Sequence, residues 1–493
     1  MGRRDTPGGH RGMTRVPSVY TTQHSLFVGQ FLRVGTKNTV EDPVQKERRI
    51  CDFPIYPNAD ATQIYNAMAT GEPYFIKGAL TQAGGMLNQT NLHLTWNGVK
   101  NLDFFVDWNL WHDPISDLAD VILPEVHWME QECSRVAQGS GGYYGAHIKC
   151  IEPPAECKWG PDIVNEWYKK AGVPFWGDRT DGGDPWEAGD YLRGRAIASL
   201  DMDWQTFREG FIKNGWYDAR KTNPDGFGSA RRYETGWLDL PFVGKPGFYT
   251  PTTRDEVWSI TFETAMRSKT NQATGEKFGT SYALPYFVEP KSGPRSDGFR
   301  KIQSQNMDNP NHEKYADYTP ENYPFIASTG RRIPVYFHSE HRQLPWCREV
   351  WPVPRMEMNP EDAKKLGLKQ GDWAWIETPF SKIRQCVEES PAVAVGRVNL
   401  EHTWWFPELD QADKGFDLCG CNCLVTTGKG YQDRISGTSY LRAYPVNIYK
   451  ATAENSPFGN PTPCDHKGNP IICDASDPRL KEWLPDYDKR SEA

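Results

Sequence analysis

The groups best placed to do chemistry lie in residues 323–378. A short strand carries Ile326 and Ala327 into a polar turn, Thr329-Gly330-Arg331, and a second strand is expected to end at His338-Ser339. Hydroxyl, backbone and guanidinium donors gathered at strand ends are what gripping a phosphate-bearing cofactor requires. Each has a plainer reading: Arg331 as a surface ion pair worth little, His338 as a hydrogen-bonded core histidine. A second cluster is Cys419-Gly-Cys421-Asn-Cys423. A spacing of two on an extended chain puts the three thiols on one face, open to a soft metal. The spacing is not that of common zinc or iron–sulfur motifs, so packing of small core residues is the favoured reading.

The elements that must position these residues follow from local chemistry. Asn359 suits an N-cap, Pro360 the first helical position and Gly367 a left-handed stop, which gives a helix of about two turns. Gly371-Asp372 turns the chain into a strand over Trp373–Thr378. Strands over Lys382–Val387 and Val395–Leu400 follow, and the sum reads as a small closed or nearly closed barrel. Upstream, a helix over Ala61–Thr70 alternates with strands at Tyr74–Leu80, Leu102–Val106 and Val121–Leu123, and a helix spans Pro161–Gly172. Such alternation implies a parallel sheet whose ligands sit beyond the strands' carboxyl ends, which makes Asp107, Trp108 and Asn109 site candidates. His127 and Glu130 fall on an expected helix and read as structural.

The fold class is thus α/β. We divide the chain into an irregular segment 1–60, an α/β domain 61–172, an elaborated connector 173–320, the barrel 321–450, and a surface-wrapping tail 451–493. The 493 residues allow two or three domains. A net charge of -8 argues against a nucleic-acid partner. No apolar run approaches the roughly 20 residues needed to span a bilayer. Arg3-Arg4 lacks the apolar stretch of an export signal, so a cytoplasmic location is the default expectation. Eleven cysteines, mostly scattered, favour reduced thiols. Of the nineteen tryptophans, Trp108, Trp111, Trp128, Trp404 and Trp405 lie near the motifs, mostly for packing.

Taken together, the blocks ATGEPYFIKGALTQAGG (69–85), LDFFVDWNLWHDPISDLADVILPEVHWMEQE (102–132), EPPAECKWGPDIVNEWYKKAG (152–172), GFYTPTTRDEVWS (247–259) and the barrel stretch resemble the molybdopterin oxidoreductases of the dimethyl sulfoxide reductase family. The signal is their order. The resemblance implies a Rossmann-like parallel-sheet domain followed by a double-psi β-barrel. It also implies a bis-molybdopterin guanine dinucleotide cofactor with one molybdenum. Thr329, Gly330, Arg331, His338 and Ser339 sit where the family holds pterin and phosphate groups, and Asn422 and Arg442 at later contacts. Trp108 and Asn109 replace a Ser-Asp or Gln-Asp pair, and Gln131 falls where some members carry lysine. Gly85 and Gly160 replace an asparagine and an aspartate.

MGRRDTPGGHRG resembles a passage partway along family members, so this chain looks like the C-terminal part of a longer enzyme. An iron–sulfur cluster is then expected only in an N-terminal part or an electron-transfer partner subunit. No catalytic residue and no metal ligand is assigned here. MATGEPYFIKG and WAWIETPFSKI are similar to the branch of acetylene hydratase, pyrogallol transhydroxylase and catechol dehydroxylases. That implies a small phenolic substrate, reductively dehydroxylated or hydroxyl-transferred. Oxygen-atom transfer on S- or N-oxides, a non-catalytic fragment, and a Trp-rich binding module are the alternatives.

Overall fold

The computed structural model describes residues 61–72, 75–82, 85–136, 143–172, 204–215, 217–218, 257–258, 283–284, 321–331, 333–427 and 441–483. The segment 1–60, most of the connector, the 247–256 part of the fourth block and the end of the tail lie outside them.

Helix α1 (Ala61–Thr70) matches the expected span. Helix α2 (Leu92–Lys100) is capped by Asn91, whose side chain accepts the Leu94 amide. The two helices meet at Gly98, where a Cβ would stand 2.9 Å from the Tyr65 carbonyl oxygen, so only glycine permits this approach. Asn101 donates from Nδ2 to the carbonyl of Ala69 at 3.0 Å and closes the end of α1. Beside them runs a sheet of β1 (Gly78–Gln82), β2 (Phe104–Asn109) and β3 (Val121–Pro124), in that order, with β1 parallel to β2. β2 begins and ends later than expected, so Asp107, Trp108 and Asn109 form its last half rather than the loop after it.

The second layer is built from β7 (Phe325–Arg331), β8 (Arg355–Met358), β9 (Trp373–Glu377), β10 (Lys382–Glu389), β11 (Arg397–Glu401) and β12 (Tyr444–Lys450). They close into a barrel in the order β10-β8-β11-β7-β12-β9. The buried residues Phe325, Ala327 and Thr329 alternate along β7, the two-residue period of a strand with one face in a core. The short helix Pro360–Lys365 has its Asn359 cap, with the side chain accepting the Glu361 amide at 2.9 Å. Barrel residues Met356, Ile376, Ile383 and Val398 share one core with Leu87, Leu92, Val99 and Phe105 of the helices and sheet. A second core gathers Tyr336, Trp404, Phe406, Leu409 and Ile471.

Among the described residues, a separate compact unit from Leu123 to Asn271 holds a second small sheet. It comprises β4 (Cys133–Val136), β5 (Tyr143–His147) and β6 (Tyr217–Asp218), in that order. Its helices are Gly160–Lys170 and Trp204–Asn214.

Several expectations need correction. No strand ends at His338-Ser339. Residues 333–344 form turns, because Pro334 lacks an amide and His338 and His341 take positive φ of 49° and 74°. The helix expected at His127 and Glu130 is also absent. Pro124 ends β3, and the Glu130 carboxylate accepts the His127 amide at 2.8 Å, a local bond that competes with helix. The cysteine triad is not extended: Phe416–Cys419 is helical and Cys421–Leu424 a 3-10 turn, so the two-residue period of a strand does not apply. The tail does more than wrap. Ile471 and Ile472 are buried, and the Ile472 carbonyl accepts a 3.0 Å bond from Arg348, which also pairs with Glu408 at 2.8 Å.

Candidate functional site

The site begins at the end of β7. Thr329 pairs with Leu400 and Arg331 with Glu401, so Gly330 is an extra residue bulged out of the ladder. Its φ of 93° explains the glycine, since no atom lies within 4 Å of where a Cβ would stand. The Thr329 amide and hydroxyl both donate to the carbonyl of Leu441, at 3.0 Å each. That places the next residue, Arg442, on an exposed bend beside the Thr-Gly-Arg bulge.

Arg331 is committed to carboxylates. Its Nη1 lies 3.0 Å from Glu401 and 2.5 Å from Glu388, and its Nη2 lies 3.2 Å from Glu357. Glu401 is fully buried and also accepts the Arg355 amide and the indole N–H groups of Trp351 and Trp404. Burial still outweighs these donors and pushes its carboxyl up to about 7.

After the bulge, Arg342 fixes the turn that carries His338, Ser339 and Glu340. Its guanidinium lies between the rings of Tyr336 and Trp404, at 3.9 and 4.6 Å. It donates to the carbonyls of His338 and Glu340, both at 2.9 Å. The Trp405 indole donates to the Ser339 carbonyl at 2.6 Å. His338 Nδ1 stands 3.1 Å from His402 Nε2, and His402 Nδ1 stands 3.2 Å from the Arg331 carbonyl. The carbonyl can only accept, so neutral His402 carries its proton on Nδ1. His338 then donates from Nδ1 to His402.

A polar chain ties this turn to the parallel strands. The Ser339 hydroxyl donates to Asp113 at 2.9 Å, and Asp113 also accepts the amides of Ile115 and Ser116. The Ser116 hydroxyl donates to Asp107 at 2.6 Å, and Thr81 donates to its other oxygen at 2.8 Å. Desolvation raises Asp113 to about 6 against those donors, and Glu340 to about 7. Asn109, at the strand end, accepts the Leu110 amide at 2.9 Å through Oδ1. Trp108 is buried beneath it.

Asn422 is the other link. Its Nδ2 donates to the carbonyls of Asn88 and Gln89 at 2.7 and 3.1 Å, and its own carbonyl accepts the Asn91 amide. Gln131 is half-buried, two residues before β4, in the other compact unit.

The structure thus brings Thr329, Gly330, Arg331, His338, Ser339 and Arg442 to one barrel end, and joins Ser339 to the β2 strand that carries Trp108 and Asn109. Sequence reasoning missed Asp113, Arg342, Glu401 and His402. A buried arginine between two aromatic rings has no local pattern. His402, two residues before Trp404-Trp405, carried the only signal of the four.

Two buried acceptors adjoin this network without a partner, Gln343 Oε1 and Asn88 Oδ1. Gln343 donates to the His112 carbonyl beside Asp113, and Asn88 holds Asn422. Such acceptors want N–H groups, which pterin and guanine rings carry, and exposed Arg442 suits a phosphate. The residues present therefore fit a molybdopterin dinucleotide.

Comparison with known proteins agrees. Residues 325–435 match the molydopterin dinucleotide binding domain. This defines the barrel as a cofactor-binding domain of that class. The chain is 38% identical to a dopamine dehydroxylase of Eggerthella lenta over 99% of its own length and 49% of that protein. It is 24% identical to the acetylene hydratase of Syntrophotalea acetylenica over 71% of the chain and 40% of the relative. Among solved structures, acetylene hydratase from Pelobacter acetylenicus shares the fold with a TM-score of 0.59 at 22% identity, over 80% of this chain and 47% of that one. The barrel thus carries a molydopterin dinucleotide binding domain, and the chain is similar along its length to enzymes consistent with the dimethyl sulfoxide reductase family. It spans about half the length of the relatives it matches.

Proposed function

We propose that this chain is the dinucleotide-holding part of a molybdenum oxidoreductase that removes or transfers a hydroxyl group on a small phenolic compound. The observation that carries the reading is the 38% identity to a dopamine dehydroxylase along nearly the whole chain. In this reading the barrel is of double-psi type, the parallel strands are Rossmann-like, and the cofactor is a bis-molybdopterin guanine dinucleotide. When bound, it supplies the two-electron redox step, with any iron–sulfur cluster in a further part or partner of the enzyme.

The chain's own residues bind and orient. Arg442 and the Gly330 bulge would face phosphate, Gln343 Oε1 and Asn88 Oδ1 would accept ring N–H groups, and His338 would line the same barrel end. Asn109, with Nδ2 still able to donate, takes the place of the family's charged guanosine contact. Arg331 acts differently from a phosphate clamp. With three carboxylates on it, its charge is spent on holding Glu401, and it shapes the bulge. Ser339 and Thr329 likewise position backbone.

Reductive dehydroxylation consumes two electrons and two protons, and converts an aryl C–OH to C–H with release of water. Asp113, raised to about 6, and Glu340, raised to about 7, titrate close to neutral pH and are suited to pass protons toward the barrel end. The test is anaerobic turnover by the full-length holoenzyme with catechols and, separately, with sulfoxides and N-oxides. Catechol turnover is expected. Turnover of the oxides alone would replace this reading with oxygen-atom transfer, and protein without molybdenum or pterin would reduce it to a non-catalytic part.

A further inference from the structure

Away from the barrel end, three side chains distant in sequence converge. His93 lies in the first turn of α2, Asp417 on the short helix Phe416–Cys419, and Cys423 in the 3-10 turn that follows. One imidazole nitrogen, one carboxylate oxygen and one sulfur lie within 4.8 Å of one another. His93 Nε2 is 3.2 Å from Asp417 Oδ1. Zinc bonds of about 2.0–2.3 Å in tetrahedral geometry set neighbouring ligand atoms roughly 3.3–3.8 Å apart. The nitrogen–oxygen edge therefore already has nearly the right length, and a small turn of Cys423 completes the face.

The donor set is informative too. A neutral imidazole, a carboxylate and a thiolate together suit borderline-soft Zn2+ rather than the hard cations that take oxygen alone. Cys423 is buried, and its thiol makes only a long 3.8 Å contact to the Phe416 carbonyl. His93 and Asp417 are half exposed, which leaves an entry path and room for water.

We propose that His93, Asp417 and Cys423 bind one zinc ion, with water as the fourth ligand. Binding displaces the thiol proton to solvent, so one Zn2+ enters and one H+ leaves, with no change of oxidation state. The ion cross-links α2 to the turn that carries Asn422. It lies in sequence beside the Asn91 amide to Asn422 carbonyl bond, at 3.1 Å, and reinforces that same junction. Cys419 and Cys421 take no part. The inference does not depend on the substrate reading above.

The test uses the full-length protein equilibrated with micromolar zinc sulfate, then gel-filtered. Bound zinc is counted by mass spectrometry and its ligands are read by zinc-edge X-ray absorption, which does not see molybdenum or iron. One zinc per chain is expected, with one Zn–S distance near about 2.3 Å. Cys423→Ser is expected to remove the sulfur shell. His93→Gln and Asp417→Asn, at half-exposed positions that leave folding intact, are expected to weaken binding roughly 10–100-fold each. Zinc retention by the double variant equal to that of the parent, or a sulfur shell that survives Cys423→Ser, overturns the proposal, as does no zinc uptake at all.

Discussion

Two arginines near the Thr-Gly-Arg bulge illustrate how burial decides what a side chain does. Arg331, 16% exposed, is held by Glu357, Glu388 and Glu401, and Glu401 has no access to water. Removing the cation leaves a buried carboxylate without its partner, so Arg331→Ala is expected to cost about 3–5 kcal/mol of stability in a urea melt. Arg442 is exposed. Arg442→Ala is expected to change stability by less than about 0.5 kcal/mol while molybdopterin content per purified protein falls. The opposite pattern, stability lost at Arg442 and cofactor lost at Arg331 without unfolding, would reverse the two roles.

At the scale of elements, the turn that carries Ser339 and the loop after β2 are joined through the buried Asp113 carboxyl, with Glu340 beside it. Burial raises Asp113 from 3.8 to about 6 and Glu340 from 4.5 to about 7. Both keep their protons to higher pH in the folded protein than in the unfolded chain. Between about pH 4 and pH 7 the folded state therefore binds more protons, so stability falls as pH rises through that window and levels off above it. Denaturant melts at several pH values should show this slope. Asp113→Asn, which cannot ionise, should flatten its lower part. An unchanged slope would mean that Asp113 ionises normally.

Across the whole described unit, one core runs from the helices and sheet into the barrel, and the tail closes a second core. The Glu408 carboxylate takes both Arg348 and the Ile472 amide, and Ile471 and Ile472 are buried. Burying two isoleucines stabilises by about 1.5–3 kcal/mol each. A chain ending at Lys450 is expected to lose about that sum and to leave Arg348 and Glu408 with fewer partners, which a lowered melting temperature of the barrel would report. A tail that merely covers the surface would leave the melt unchanged.

What the sequence by itself determined is local. The Asn359 cap, Pro360 and Gly367 set the short barrel helix, since capping bonds and glycine φ act within a few residues. The Gly371-Asp372 turn and the turn-rich spacing after it set β9, β10 and β11 to within a few residues, and the order of motifs carried the family resemblance. What only the tertiary structure decided depends on partners far apart in the chain. His338-Ser339 reads as a strand end, but Arg342 and Trp405 hold it as a turn. Arg331 reads as a phosphate donor, and only the fold shows that three distant carboxylates pair with it. Asn422 reads as a hydrogen-bonding residue, and only the fold shows that its Nδ2 donates to Asn88 and Gln89. A local pattern shows which donors a residue offers, and burial among remote elements decides which of them remain for a ligand.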